Sequence, residues 1–156
     1  MGNGIAHVFA QYGFNVSLVD TSEAALGKAL QTISRNADRQ VSKEIITQAT
    51  KENILAALHT TTAMETGLAD ADLVIEAATE HTGVKLNIFK QLDELAPPSA
   101  ILATNTSSIS ITAIAAATQR PGKVIGMHFM NPVPVMKLVE VINGYATAPQ
   151  VTDEVV

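Results

Sequence analysis

Two hydrophobic patterns alternate along the chain: apolar residues recurring with a helical period, and short unbroken apolar runs of strand length. Ile5, Val8, Phe9 and Tyr12 fall at i, i+3, i+4 and i+7, which predicts one apolar stripe on a helix that Gly13 can end in a left-handed cap. FNVSLVD then predicts a buried strand ending in Asp20. Leu26, Leu30, Ile33, Ala37 and Val41 resume the helical spacing, with Thr21 or Ser22 as N-cap, and a second helix is predicted over residues 46–55. LHTTTA, rich in β-branched residues, predicts a short strand.

DLVIEA, residues 72–77, is a continuous apolar run, followed by Val84, Ile88, Leu92 and Leu95 at helical spacing until Pro97 and Pro98 stop the helix. AILATN repeats the pattern with a helix near residues 111–117, and KVIGMHF supplies another strand. The closing APQVTDEVV predicts the first turns of a further helix. Strands alternating with helices imply an α/β fold built on a parallel sheet.

Composition narrows the classes. The 156 residues, 47% hydrophobic and 16% charged, suffice for one packed domain, so one core is expected. There is no apolar run long enough to cross a membrane and no charged-then-apolar leader, from which a cytoplasmic location and no membrane partner are expected. The absence of cysteine excludes disulfides, thiolate metal sites and a cysteine nucleophile, and no metal site is expected. A net charge of -5 argues against a nucleic-acid partner while leaving room for local basic patches that meet a small anion.

Two places could carry chemistry. In a dinucleotide-binding βαβ unit, glycines let the backbone approach a pyrophosphate at a helix N-terminus, and an acid ending the next strand binds ribose hydroxyls. Gly2 and Asp20 suit the last glycine and the acid, although the same two residues are common in any α/β protein. The stretch HFMNPVPVMKLVEVI is more specific. Glu140 lies inside the apolar strand KLVEVI, where a buried carboxylate needs a partner, and His128 stands twelve residues earlier across a loop stiffened by Pro132 and Pro134. A carboxylate on one ring nitrogen would leave the other free as a general base. Spacing alone weighs this equally against Glu140 pointing to solvent from an edge strand and His128 being a polar strand end. His7 beside the first stripe, His59 and His81 carry no chemical expectation.

MGNGIAHVFAQYG, VSLVD, DLVIEAATE, LATNTSSISIT and HFMNPVPVMKLVEV together make the whole chain resemble the nucleotide-binding domain of the NAD-dependent L-3-hydroxyacyl-CoA dehydrogenases, the bacterial 3-hydroxybutyryl-CoA enzymes in particular. The resemblance implies a Rossmann-type doubly wound parallel sheet lacking its first strand, with a helical insertion after the second, and NAD as cofactor. It implies that His128 takes the proton of the 3-hydroxyl while hydride leaves for the nicotinamide, and that Glu140 holds the imidazole. Ser107 would hydrogen-bond the substrate oxygen, with Asn105 beside the cofactor and Asn131 near the nicotinamide. Glu80 and Lys85 carry over as cofactor contacts, Gly2 as the last fingerprint glycine and Asp20 as the ribose acid that favours NAD over NADP. Lys43 matches loosely a residue that meets the coenzyme A phosphate. Partners implied are an acyl-CoA substrate and, in the full-length form, a second copy in a homodimer.

The family places a strand and two more glycines ahead of the position of Met1, and a helical domain after that of Val156. The resemblance therefore implies that residues 1–156 are a partial NAD-binding domain, with the family's C-terminal helical domain absent. By themselves they are expected to bind NAD weakly or not at all and to turn over no substrate. A competing reading is a non-catalytic remnant or structural binding protein that retains the fold. A dehydrogenase of free hydroxyacids is a third, which the His128 and Glu140 pair disfavours because such enzymes typically use a lysine.

Overall fold

Hydrogen bonds from side chains and backbone set where the helices begin and end. The computed structural model describes residues 1–156. The chain divides into two compact units, Met1–Gly67 with Asn131–Met136, and Leu68–Met130 with Lys137–Val156. The strands form two hydrogen-bonded sheets, and buried residues lie in both units.

In the first unit the order is α1 (Gly2–Gln11), β1 (Val16–Val19), α2 (Glu23–Ser42), α3 (Gln48–Ala56) and β2 (Leu58–Thr61), and α4 (Met64–Leu68) leads out of it. Gly13 has φ +90°, the left-handed conformation that ends α1 without a Cβ penalty. Ser22 is the N-cap of α2, its hydroxyl accepting from the Ala25 amide, and Thr47 does the same for α3 through Thr50. β1 and β2 run parallel, so the LHTTTA strand exists and α2 with α3 forms the helical insertion between them. The core here is Ala6, Ala10, Ile33, Ile54 and Leu58.

The first helix is rotated from its predicted face. Ile5, Ala6, His7 and Ala10 are buried, while Tyr12 is largely exposed. Small alanines let α1 pack closely, and His7 enters with its Nε2 bonded to Gln40 Oε1 at 3.1 Å; the Gln40 amide in turn donates to Gln11 Oε1 at 3.2 Å. Burial pushes the His7 imidazole below its ordinary 6.5, outweighing the opposing Gln40 bond, so the ring enters the core neutral. At Gly4 an added Cβ would stand 3.0 Å from Val133 Cβ, so the bare helix backbone seats the Asn131–Met136 loop.

The second unit contains β3 (Leu73–Glu76), α5 (Thr82–Leu95), β4 (Ile101–Thr104), α6 (Ile111–Ala115), β5 (Val124–Phe129), β6 (Val139–Asn143) and α7 (Pro149–Val155). The sheet order is β3-β4-β5-β6, parallel through β5 and closed by an antiparallel β6. All four residues of β4 are buried, as expected of an inner parallel strand. Arg120 locks the end of α5: its guanidinium donates to Asp93 Oδ1 at 2.8 Å and to the carbonyls of Asp93, Ala96 and Pro97. Asp93 is in the last turn of α5, whose carbonyls lack intrahelical donors, and Ala96 and Pro97 follow it directly.

β1 pairs only with β2, and β3 only with β4. Each therefore has one unpaired edge.

Candidate active site

In the second unit the carboxyl ends of three parallel strands carry Glu76, Asn105 just past Thr104, and His128. This is the end of an open α/β sheet at which ligands bind. Asn105 is fixed there twice: its amide donates to the Glu76 carbonyl at 2.7 Å, and its Oδ1 accepts the Phe129 amide at 2.9 Å.

The β5–β6 register sets His128 directly opposite Glu140, which explains how residues twelve apart meet. His128 Nδ1 lies 2.7 Å from Glu140 Oε2. Of the two positions that the spacing left open for Glu140, buried with a partner or facing solvent from an edge strand, the structure has the second: its side chain is 52% exposed and β6 is an edge strand. The pair forms all the same. Each sequence alternative therefore holds in part: the carboxylate stands on an edge strand and is also bonded to the ring.

Glu80 gathers the loop that follows β4. Its Oε1 accepts the Thr106 hydroxyl, the Ser107 amide at 3.1 Å, the Ser108 hydroxyl at 3.2 Å and, at the limit of contact, the Ser107 hydroxyl at 3.5 Å. The Thr106 hydroxyl is foremost in holding the Glu80 carboxyl below its ordinary range; the Ser107 amide, the Lys85 ammonium and the Ser108 hydroxyl add to it, and burial opposes.

Lys85 is wholly buried, not a solvated helix charge. Its Nζ donates to both oxygens of Glu76, at 3.0 and 2.9 Å, and stands 3.8 Å from Glu80 Oε2. Glu76 further accepts the Ala78 amide and the Thr104 hydroxyl, each at 2.7 Å. Sequence reasoning missed Glu76. A glutamate in the run DLVIEA, nine residues before a lysine that opens a helix, was the available signal. His81 is the N-cap of α5, its Nδ1 accepting the Val84 amide at 3.3 Å.

Gly2, Asp20, Lys43 and Asn131 belong to the first unit, and no hydrogen bond joins any of them to another. Gly2 opens α1, and an added Cβ there would meet nothing within 4 Å. Asp20 follows β1 and accepts the Ser22 amide at 2.9 Å, Lys43 ends α2, and Asn131 begins its loop on the cis bond to Pro132. All of the predicted positions other than Gly2, Lys85, Asn105 and His128 are exposed. The residues hold no cluster of histidine and carboxylate groups able to bind a metal, and no helix is long and apolar enough to cross a membrane.

Comparison with known proteins gives one answer. The family described as 3-hydroxyacyl-CoA dehydrogenase, NAD binding domain, matches residues 1–156. The chain is 49% identical to a 3-hydroxybutyryl-CoA dehydrogenase of Clostridioides difficile, covering 99% of this chain and 55% of that protein. It is 52% identical to the enzyme of the same name from Bradyrhizobium diazoefficiens, covering 94% and 50%. The chain thus spans about half the length of these curated relatives. Among solved structures, the (S)-3-hydroxybutyryl-CoA dehydrogenase of Ralstonia eutropha superposes with a TM-score of 0.96 at 47% identity, over 99% of this chain and 54% of that one.

Proposed function

From the premise that the chain belongs to the NAD-binding domain family of the 3-hydroxyacyl-CoA dehydrogenases, we propose that it serves an oxidoreductase interconverting a 3-hydroxyacyl-CoA and a 3-oxoacyl-CoA, with His128 as general base and Glu140 as its orienting partner. The observation that carries the reading is the 2.7 Å bond between His128 Nδ1 and Glu140 Oε2. A carboxylate there fixes the tautomer with the proton on Nδ1, leaving the Nε2 lone pair to accept the proton of a substrate hydroxyl. As the ring becomes an imidazolium, Glu140 stabilises it, and in the reverse direction Nε2 returns the proton to the forming hydroxyl.

The residues present fit a dinucleotide. In the first unit the open backbone at Gly2 heads a ten-residue helix, and Asp20 stands exposed just past β1. NAD, when bound, supplies the hydride acceptor. Gly2 would meet its pyrophosphate, Asp20 the adenosine ribose and Asn131 the nicotinamide end; in the second unit Asn105 and Glu80 would serve the cofactor, whereas Lys85, wholly buried against Glu76, makes no direct contact and only supports them. Ser107, exposed and held by Glu80 through its amide, would donate to the substrate oxygen. The exposed Lys43 would meet the coenzyme A phosphate.

The test is NADH oxidation by the natural gene product with acetoacetyl-CoA and, separately, with free acetoacetate. Oxidation with the thioester and not with the free acid is expected. Oxidation with free acetoacetate alone would reassign the protein to the hydroxyacid dehydrogenases, and none with either would make it a non-catalytic remnant. The 156-residue polypeptide by itself is expected to bind NADH weakly and to oxidise none, since β1 and β3 each leave an unpaired edge in their own sheet.

A further inference from the structure

Two carboxylates face one buried cation, and they hold it unequally. Lys85 Nζ lies 2.9 and 3.0 Å from the oxygens of Glu76 but 3.8 Å from Glu80 Oε2, outside hydrogen-bond distance. We propose that Glu76 is a positioning residue: by holding the Lys85 ammonium at the end of β3, it leaves the Glu80 carboxylate on the loop of Thr106, Ser107 and Ser108, and so fixes the backbone that presents Ser107.

The asymmetry follows from how each carboxylate is anchored. Glu76 is 6% exposed, terminates a strand, and has its oxygens occupied by the Ala78 amide and the Thr104 hydroxyl as well as by Lys85. Its register partner across β3 and β4 is Thr104 itself, so the donor and acceptor are both held by the sheet. Glu80 lies between β3 and α5, its side chain 40% exposed, and every loop contact it makes runs through Oε1. Neutralising Glu76 removes the stronger claim on the ammonium. Closing on Glu80 Oε2 to a charge-assisted bond of about 2.8 Å then needs a movement of only about 1 Å, which draws Oε1 away from the Ser107 amide and the Ser108 hydroxyl.

The inference rests on the reading of Ser107 as a substrate contact, but its test requires neither substrate nor cofactor. Carbon-13 NMR of the carboxyl groups follows the titration of Glu80 in the full chain, and the Ser107 amide resonance reports its bond to Glu80. In Glu76→Gln the Glu80 midpoint is expected to move, the direct ammonium pair lowering it and the lost bonds to the Ser107 amide and Ser108 hydroxyl raising it. The Ser107 amide should shift as its acceptor leaves. A folded Glu76→Gln protein whose Ser107 amide stays at its wild-type shift overturns the proposal, since loss of the neighbouring charge alone would move the Glu80 midpoint but leave that bond in place. Should that variant fail to fold, the isosteric Thr104→Val removes a donor from Glu76 and sharpens its demand on Lys85. The Glu80 midpoint then rises, and an unchanged midpoint overturns the proposal equally. Either negative result leaves the dehydrogenase reading intact, and a failed turnover assay leaves the titration result intact.

Discussion

His128→Asn lowers the turnover of acetoacetyl-CoA by the natural gene product about 10²- to 10⁴-fold, the range over which a positioned general acid or base contributes. Asparagine keeps a polar side chain of similar reach at the end of β5, so the strand and its pairing with β6 are preserved while the basic nitrogen is lost. The loss should therefore fall on the chemical step, with NADH affinity retained, and a single-turnover measurement of NADH oxidation separates the two. Glu140→Gln is expected to lose less. It leaves the ring in place and removes the charge that orients it and stabilises the imidazolium, so its rate should lie between those of wild type and His128→Asn. A His128→Asn enzyme within tenfold of wild type would move the base elsewhere.

Lys85→Met destabilises the fold by about 3–5 kcal/mol, the cost of leaving a buried charge without its partner. Lys85 is fully buried and Glu76 nearly so, and the Thr104 hydroxyl and Ala78 amide that remain on Glu76 do not replace a cation. Urea unfolding of both proteins at neutral pH measures the difference. The double variant Glu76→Gln with Lys85→Met removes both charges and should recover part of the loss, which a cavity or packing defect at the substituted lysine position would not allow. A loss below about 1 kcal/mol for Lys85→Met, in the range of an exposed pair, would mean that water reaches this pair in solution.

The same pair shows where sequence reading reaches its limit. Val84, Ile88, Leu92 and Leu95 make the better apolar stripe on α5, yet the buried face is Lys85, Phe89 and Leu92, with Val84 among the exposed residues. Periodicity counts a lysine as a surface residue, and only a partner on another strand, Glu76, makes its burial possible; the pairing is not visible in either segment alone. The first helix repeats the lesson with His7, which sits on the buried face because α2 offers Gln40 and burial keeps the imidazole neutral. By contrast, the strands ending near Asp20, Glu76, Asn105 and His128 were legible as short apolar runs, most clearly β4 and β5, since an inner parallel strand must be apolar on both faces. Ser22 could be read as a cap because its hydroxyl acts within three residues of itself.

At the site, the meeting of His128 and Glu140 was foreseeable from a reversing loop between two strands, but its environment was not. Burial of Glu140 depended on whether β6 would gain a neighbour beyond β5, and it has none. Glu80 and Ser107 were marked separately by resemblance, and the structure joins them: the carboxylate accepts from the loop 27 residues ahead, between two strand ends that register brings side by side. Such contacts across strands depend on register, which a single sequence does not print.

The proposed chemistry stands on the proton at His128 Nδ1. A nitrogen-15 spectrum of the histidine rings, recorded on this chain at alkaline pH, reads the tautomer of His128 without substrate or cofactor. The expected spectrum has the proton on Nδ1, held toward Glu140, a bare Nε2, and loss of that preference in Glu140→Gln. A proton on Nε2 in the wild-type protein would contradict it, since the nitrogen assigned to take the substrate proton would already carry one.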